Sequence, residues 1–230
     1  GRCAFHSCTS LMSVIIPEGV TTIEAGAFQG CTGLTSVIIP KSVTTIGDGA
    51  FSRTGLTSIS FPEGVTSIGT GVFSACTSLK SIVIPECVTN IGYFTFSGCT
   101  SLTSIIVEEG NLKYDSRNNC NAIITESNGL LHGCENTIIP EGVTTIGYEA
   151  FSECSSLTSI TFGDNPQLTS IGNYAFSGCS SLTSIEIPNS VTSIGDGAFQ
   201  VCSSLTSITF GENSQLTSIG NNDFSHCSSL

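Results

Sequence analysis

Residues 34–51, LTSVIIPKSVTTIGDGAF, are one unit of a pattern that runs through the chain. Leu34, Val37 and Ile39 follow an L-x-x-L-x-L spacing whose end alternates with period two, as a half-buried strand does. Pro40 cannot donate to a ladder, so it predicts the end of the strand and a turn. Val43 and Ile46 are inward again, Gly47 permits the next bend, and Ala50 and Phe51 close the unit. The phenylalanine recurs at Phe5, Phe28, Phe51, Phe73, Phe96, Phe151, Phe176, Phe199 and Phe224, spaced 22 to 25 residues apart within two uninterrupted blocks. Most units add a cysteine three residues after it and the next leucine three residues beyond. Gly, Pro and β-branched residues interrupt every window long enough for a helix. Each unit therefore predicts one turn of a β-rich solenoid, hiding its apolar side chains against its neighbours and unable to fold alone.

Composition bounds what such a stack can meet. The 230 residues carry 18 acidic side chains against 6 Lys and Arg, for a net charge of −12. This balance argues against nucleic acid or an anionic membrane surface as partner, since both demand clustered cations. No apolar run approaches the roughly 20 residues of a spanning helix, so membrane insertion is not expected.

The unit resembles the leucine-rich repeat of the BspA-like bacterial surface proteins, L-x-x-I-x-I-P-x-x-V-x-x-I-G-x-x-A-F-x-x-C, and does so over nearly the whole chain. The resemblance implies a leucine-rich-repeat solenoid: a curved, right-handed coil with a parallel sheet on its concave face. It also implies very short second strands at the Val-Thr-x-Ile-Gly segments, with little or no helix. Prolines 17, 40, 62, 85, 140 and 188 stand where many leucine-rich repeats carry asparagine, so no asparagine ladder is expected there.

The expected organisation is a single solenoid over 1–230 of about ten turns, with a hairpin-like insert at about 108–136. In that insert Ala122–Thr125 and Leu130–His132 flank the turn signal Ser127-Asn128-Gly129. Two later units, at residues 163–168 and 211–216, carry two extra residues and predict bulged loops. The chain starts and stops inside a unit without polar caps, the pattern of a fragment of a longer protein or of ends that associate with another copy.

Eight of the twelve cysteines occupy one repeat position: Cys8, Cys31, Cys76, Cys99, Cys154, Cys179, Cys202 and Cys227. A stacked row of buried thiols is one reading, and disulfides between adjacent turns or metal binding are others. Cys87 replaces a turn Gly or Ser and is expected to be exposed, and Cys120 and Cys134 are candidates for a bridge. Little else suggests chemistry. His6 and His226 lie at distant turns, and His132 is expected on a solvated loop. Glu18, Glu63, Glu86 and Glu141 form a broken acidic column that suits solubility better than calcium, and no catalytic residue, cofactor or metal site is expected.

The residue between the last two apolar positions points out of the concave face. That column reads Ile15, Ile38, Ser60, Val83, Ile106, then Thr161, Glu186 and Thr209, with Lys80 breaking a neighbouring threonine row. Exposed aliphatics in register can mark an interaction site, and they can equally be residues suited to a sheet surface. Ile15, Ile38, Val83, Ile106, Lys80, Thr161 and Glu186 are the candidate binding residues. The resemblance implies a non-enzymatic, secreted or cell-surface adhesin-like module binding host or microbial proteins, such as matrix proteins. A structural spacer and an accessory module of a surface enzyme are the alternatives.

Overall fold

A computed structural model describes residues 1–164 and 166–230; the loop reading at residue 165 lies outside the described residues. The chain forms two compact units, Gly1–Asp115 and Ser116–Leu230.

In the first unit each turn contributes up to two strands. The L-x-x-L-x-L segments give β1 (Ser13–Ile15), β3 (Ser36–Ile38), β6 (Ser81–Ile84) and β8 (Ser104–Val107). The segments before each Ile-Gly give the two-residue strands β2 (Thr22–Ile23), β4 (Thr45–Ile46), β5 (Ser67–Ile68) and β7 (Asn90–Ile91), and β9 (Tyr114–Asp115) ends the unit. All four short strands join one parallel sheet, with Ile23, Ile46, Ile68 and Ile91 in one register. The long row is not continuous. β1 pairs with β3 and β6 with β8, while Ser58–Phe61 between them forms no strand. Here the turn is one residue short, and Phe61 replaces an Ile or Val, setting its ring edge-on against Phe73 at 6.0 Å.

The phenylalanine turn closes each coil. Residues two before and two after the ring adopt left-handed backbone, as at Gly26 (φ 64°) and Gly30 (φ 75°) around Phe28. This reverses the chain twice and leaves the ring pointing into the stack. Rings of successive turns lie parallel, with centroids 5.1 Å apart for Phe5–Phe28 and 5.4 Å for Phe28–Phe51. Gly92 shows how closely coils approach: a Cβ there would sit 2.5 Å from the Thr70 nitrogen of the preceding turn.

The second unit opens on a three-residue 3-10 turn, Arg117–Asn119, the only helix among the described residues. A hairpin follows, β10 (Ala122–Thr125) antiparallel to β11 (Gly129–Gly133). Its second arm then takes a place in the short-strand row. β11 pairs in parallel with β13 (Thr145–Ile146), which continues through β15 (Ser170–Ile171) and β17 (Ser193–Ile194) to β19 (Ser218–Ile219). The long strands are β12 (Ile138–Ile139) paired with β14 (Thr161–Phe162), and β16 (Ser184–Ile187) paired with β18 (Ser207–Phe210). The break between β14 and β16 again coincides with a phenylalanine, Phe162, at the last apolar position. Gly133 stands where a ring would otherwise lie: a Cβ there would fall inside the Phe151 ring. Above Phe151 the stack resumes, at 5.0 Å to Phe176 and 5.2 Å from Phe176 to Phe199.

Candidate interaction surface

Side chains other than the aliphatic and aromatic ones of the core divide into those that bind the stack together and those left facing solvent. The cysteine position belongs to the first group. Cys31 Sγ donates to the Phe5 carbonyl at 2.9 Å, Cys76 to Phe51 at 3.0 Å and Cys99 to Phe73 at 3.1 Å. In the second unit Cys179, Cys202 and Cys227 donate to Phe151, Phe176 and Phe199 at 3.1–3.2 Å. Each thiol thus adds a second, cross-turn donor to the carbonyl of the ring-bearing residue one turn back, which already accepts a bond from its own turn, a role an alanine could not fill. Where the cysteine is missing, Thr54 Oγ1 donates within its own turn, to the Phe51 carbonyl at 2.9 Å that also accepts from Cys76. No disulfide links any of the twelve cysteines. Burial pushes the thiols up, Cys154 and Cys202 to about 12 and Cys134 to about 11, so the row is poor in reactive thiolate. Cys87 corrects expectation: it is half-buried, and its thiol donates to the Val65 carbonyl at 3.0 Å as Ser42 does to Val20 at 2.8 Å.

The threonine rows are also occupied. Thr35 donates to Met12 O at 3.3 Å, Thr103 to Lys80 O at 3.4 Å and Thr206 to Thr183 O at 3.0 Å. A partial Asp/Asn row, which the sequence reading did not find, follows the Ile-Gly pair. Asp48 Oδ1 accepts from Thr70 N at 2.8 Å, Asn173 Oδ1 from Asp196 N at 3.0 Å and Asp196 Oδ1 from Asn221 N at 2.6 Å.

The candidate column stands apart from these rows. Ile15 and Ile38 face one another across β1–β3 and are 73% and 56% exposed; Val83 and Ile106 face one another across β6–β8 and are 42% and 49% exposed. The two aliphatic pairs are separated by the strandless turn at Ser60. Lys80 is exposed just before β6, its backbone N–H bonded to Thr57 O at 3.2 Å. In the second unit Ile138, Thr161, Glu186 and Thr209 are the exposed members of the column, and Ile138 was missed although its register opposite Thr161 follows from counting back from Pro140. Thr161 and Glu186 come together across the β14–β16 break, on a groove of about 340 Å³ that also includes Ile160, Phe162, Pro166 and Pro188.

Titratable groups differ from expectation in the second unit. His132 is 2% exposed, not solvated, because β11 lies inside the unit. Asp223 replaces the alanine that precedes the ring and is 3% exposed. Burial pushes its carboxyl up to about 6, against hydrogen bonds from Ala198 N at 2.7 Å and Gly220 N at 3.2 Å. Burial also raises Glu149, opposed by a hydrogen bond from the Tyr148 hydroxyl. Among the described residues no group of three or more His, Cys, Asp or Glu is placed to hold a metal ion, and no helix is long and apolar enough to cross a membrane.

Comparison with known proteins agrees with this architecture. The family model described as BspA type Leucine rich repeat region matches residues 1–124 and 131–230 in six copies. A leucine-rich repeat protein from Bacteroides ovatus is 30% identical with a TM-score of 0.58, the match covering 99% of this chain and 50% of that one. A leucine rich cell surface protein from Faecalibacterium prausnitzii is 31% identical with a TM-score of 0.59, over 99% of this chain and 60% of that one. A leucine-rich repeat protein from Eubacterium ventriosum is 27% identical with a TM-score of 0.72, over 96% of this chain and 71% of that one. The chain thus spans half to three-fifths of the length of the first two of these. None of the curated proteins matches it. With its repeat, its parallel strand rows and this match in hand, the chain belongs to the BspA type leucine-rich repeat family.

Proposed function

We propose that this chain is a non-catalytic protein-interaction module of adhesin type, presented outside the cell, that docks a protein partner on the strand face of its first unit. The observation that carries the reading is the pair of in-register aliphatic contacts, Ile15–Ile38 and Val83–Ile106, exposed on a surface whose threonines are already bonded within the stack. Covering half-exposed aliphatics of this size contributes about 1 kcal/mol each, enough together to supply the apolar centre of a modest interface. Lys80 beside them is the polar residue assigned to recognition on this face; Thr161 and Glu186 are proposed as a separate contact of the second unit. A net charge of −12 favours a partner surface that is neutral or basic. The cell-surface relative from Faecalibacterium prausnitzii supports the location.

The test is binding of immobilised extracellular-matrix proteins by the wild-type chain and by the Ile38→Asp/Val83→Asp/Ile106→Asp variant, with thermal melts in parallel. We expect the variant to melt like the wild type and to bind at least tenfold more weakly. Undiminished binding by a folded variant would overturn the reading and leave the stack as a spacer.

A further inference from the structure

The second unit is poor in cations. Residues 116–230 carry ten acidic side chains against one basic one, Arg117, which donates from Nη1 to Asn128 Oδ1 at 2.9 Å. Glu186 therefore stands on the strand face without a counter-ion. It is exposed, and no described residue donates to its carboxylate. The Thr161 hydroxyl one turn back is likewise unbonded among the described residues, whereas Thr183 and Thr206 in the neighbouring row are bonded.

The groove that holds these two side chains comes from the lapse in the strand row. β16 pairs with β18 through four residues, from Ser184 with Ser207 to Ile187 with Phe210. No backbone bond joins residues 160–162 to residues 185–187. The opening is closed at one end by Thr183 N, which donates to Thr158 O at 3.3 Å, and at the other by Ser190 Oγ, which donates to Leu168 O at 2.7 Å. Its effect on the core is local. Ile185 and Ile187 are 4% and 0% exposed, while Ile160 and Phe162, at the same repeat positions one turn back, are half-buried. Ile160 and Phe162, with Pro166 and Pro188, thus line an apolar groove whose polar members are Thr161 and Glu186. The strandless turn of the first unit has Ser60 in this column between Ile38 and Val83, so it offers no charge.

We propose that this groove receives an arginine side chain of a protein partner. The inference rests on the reading of Thr161 and Glu186 as a second-unit contact, and it names what that contact takes. An acidic surface without its own counter-ions complements a cation. Both carboxylate oxygens of Glu186 are open to a donor, and a guanidinium meets such a pair with two parallel N–H bonds. Its planar, weakly hydrated face suits the Phe162 ring and the two prolines, and its alkyl stem covers Ile160. A lysine ammonium is a compact, strongly hydrated charge that gains less from flat apolar walls. A hard metal ion would need several oxygens, and one carboxylate with one hydroxyl is too few.

The experiment is an NMR titration of the chain with N-acetyl-arginine methylamide at constant ionic strength, followed at Thr161, Phe162 and Glu186. The lysine and citrulline counterparts are run beside it, since citrulline keeps the shape of arginine and loses the charge. We expect saturable shifts with arginine, about threefold weaker binding of lysine and at least tenfold weaker binding of citrulline. Glu186→Gln, at an exposed position, should melt like the wild type and bind arginine at least tenfold more weakly. Phe162→Leu should weaken binding about threefold, and Glu212→Gln, at another exposed acid of the unit, should leave it unchanged. Equal binding of arginine and citrulline, lysine binding as tight as arginine, or unaltered affinity in Glu186→Gln would overturn the proposal. Equal losses in Glu186→Gln and Glu212→Gln would do the same, because overall charge would then account for the effect. The Ile38→Asp/Val83→Asp/Ile106→Asp variant should titrate like the wild type. A flat arginine titration of a chain that still binds matrix proteins would end this inference and leave the strand-face reading standing.

Discussion

The two units repeat one motif, yet they solve the problem of a broken repeat differently. In residues 1–115 five rings follow one another from Phe5 to Phe96, and the buried polar groups are only Ser52, Thr54 and Thr95, small hydroxyls that fit between turns. In residues 116–230 the stack begins on a hairpin, Phe151 meets Gly133 in place of a ring, and the buried polar set includes His132, Glu149 and Asp223. A regular turn is satisfied by its position alone, because the coil before it offers a carbonyl, a ring and a strand edge at fixed places. Where regularity lapses, single residues must replace those offers. Both carboxylates with raised protonation are consequently in the second unit.

The sharpest way to break this contrast is at Gly133. A Gly133→Val side chain would occupy the Phe151 ring and should destabilise the second unit by about 2–3 kcal/mol, read as lost hydrogen-exchange protection confined to residues 116–230. If protection falls equally in residues 1–115, the two units do not respond separately. Next in size, Cys179→Ala leaves the Phe151 carbonyl with the Cys154 N–H as its one remaining donor and should cost about 1 kcal/mol in urea unfolding. Cys179→Ser, which keeps a donor at that position, should lose less; equal losses would mean that the thiol acts only by filling space.

The pH response should also belong to the second unit. Asp223 has a folded-state value raised to about 6 from 3.8, so between those values the folded chain holds a proton that the unfolded chain has released. Stability should therefore rise as pH falls from 7 to 5, by about 1 kcal/mol for this group, reaching its full extent below pH 4. Glu149 pushes in the same direction. Asp223→Ala should flatten the dependence in melts taken across that range. The smallest effect expected is at Val201, a β-branched residue at φ 61° where Gly30, Gly98 and Gly178 stand in other turns. Val201→Gly should stabilise by about 0.5–1 kcal/mol, and a loss of stability would show that the side chain contributes packing that outweighs its backbone cost.

The fold could be read from the chain because its signals are local. Leu34, Val37 and Ile39 set a strand period, Pro40 ends it, and the recurrence of Phe51 sets the length of a coil. The outward column followed from the same alternation, and Ile15, Ile38, Val83 and Ile106 are exposed as the period implies. What escaped the reading depends on the turn before. That a cysteine serves as a donor becomes visible only when the Phe carbonyl of the previous coil is in place, and His132 is buried only because β11 enters the short-strand row. Glu149 and Asp223 occupy repeat slots normally held by Gly and Ala, a signal present in the sequence but lost when carboxylates are sought only in exposed columns.

Apart from Cys3, whose thiol reaches forward to Ala25, cross-turn hydroxyl and thiol bonds share a direction: Cys31 reaches back to Phe5, Ser42 to Val20, Thr89 to Thr66 and Thr217 to Thr192. Each loop is finished by the one synthesised after it. A nascent chain emerging from the ribosome amino end first would then lock its coils in order, with only the newest left unsealed. Assembly of this kind proceeds like a zip, and an interruption late in translation would spare everything already fastened.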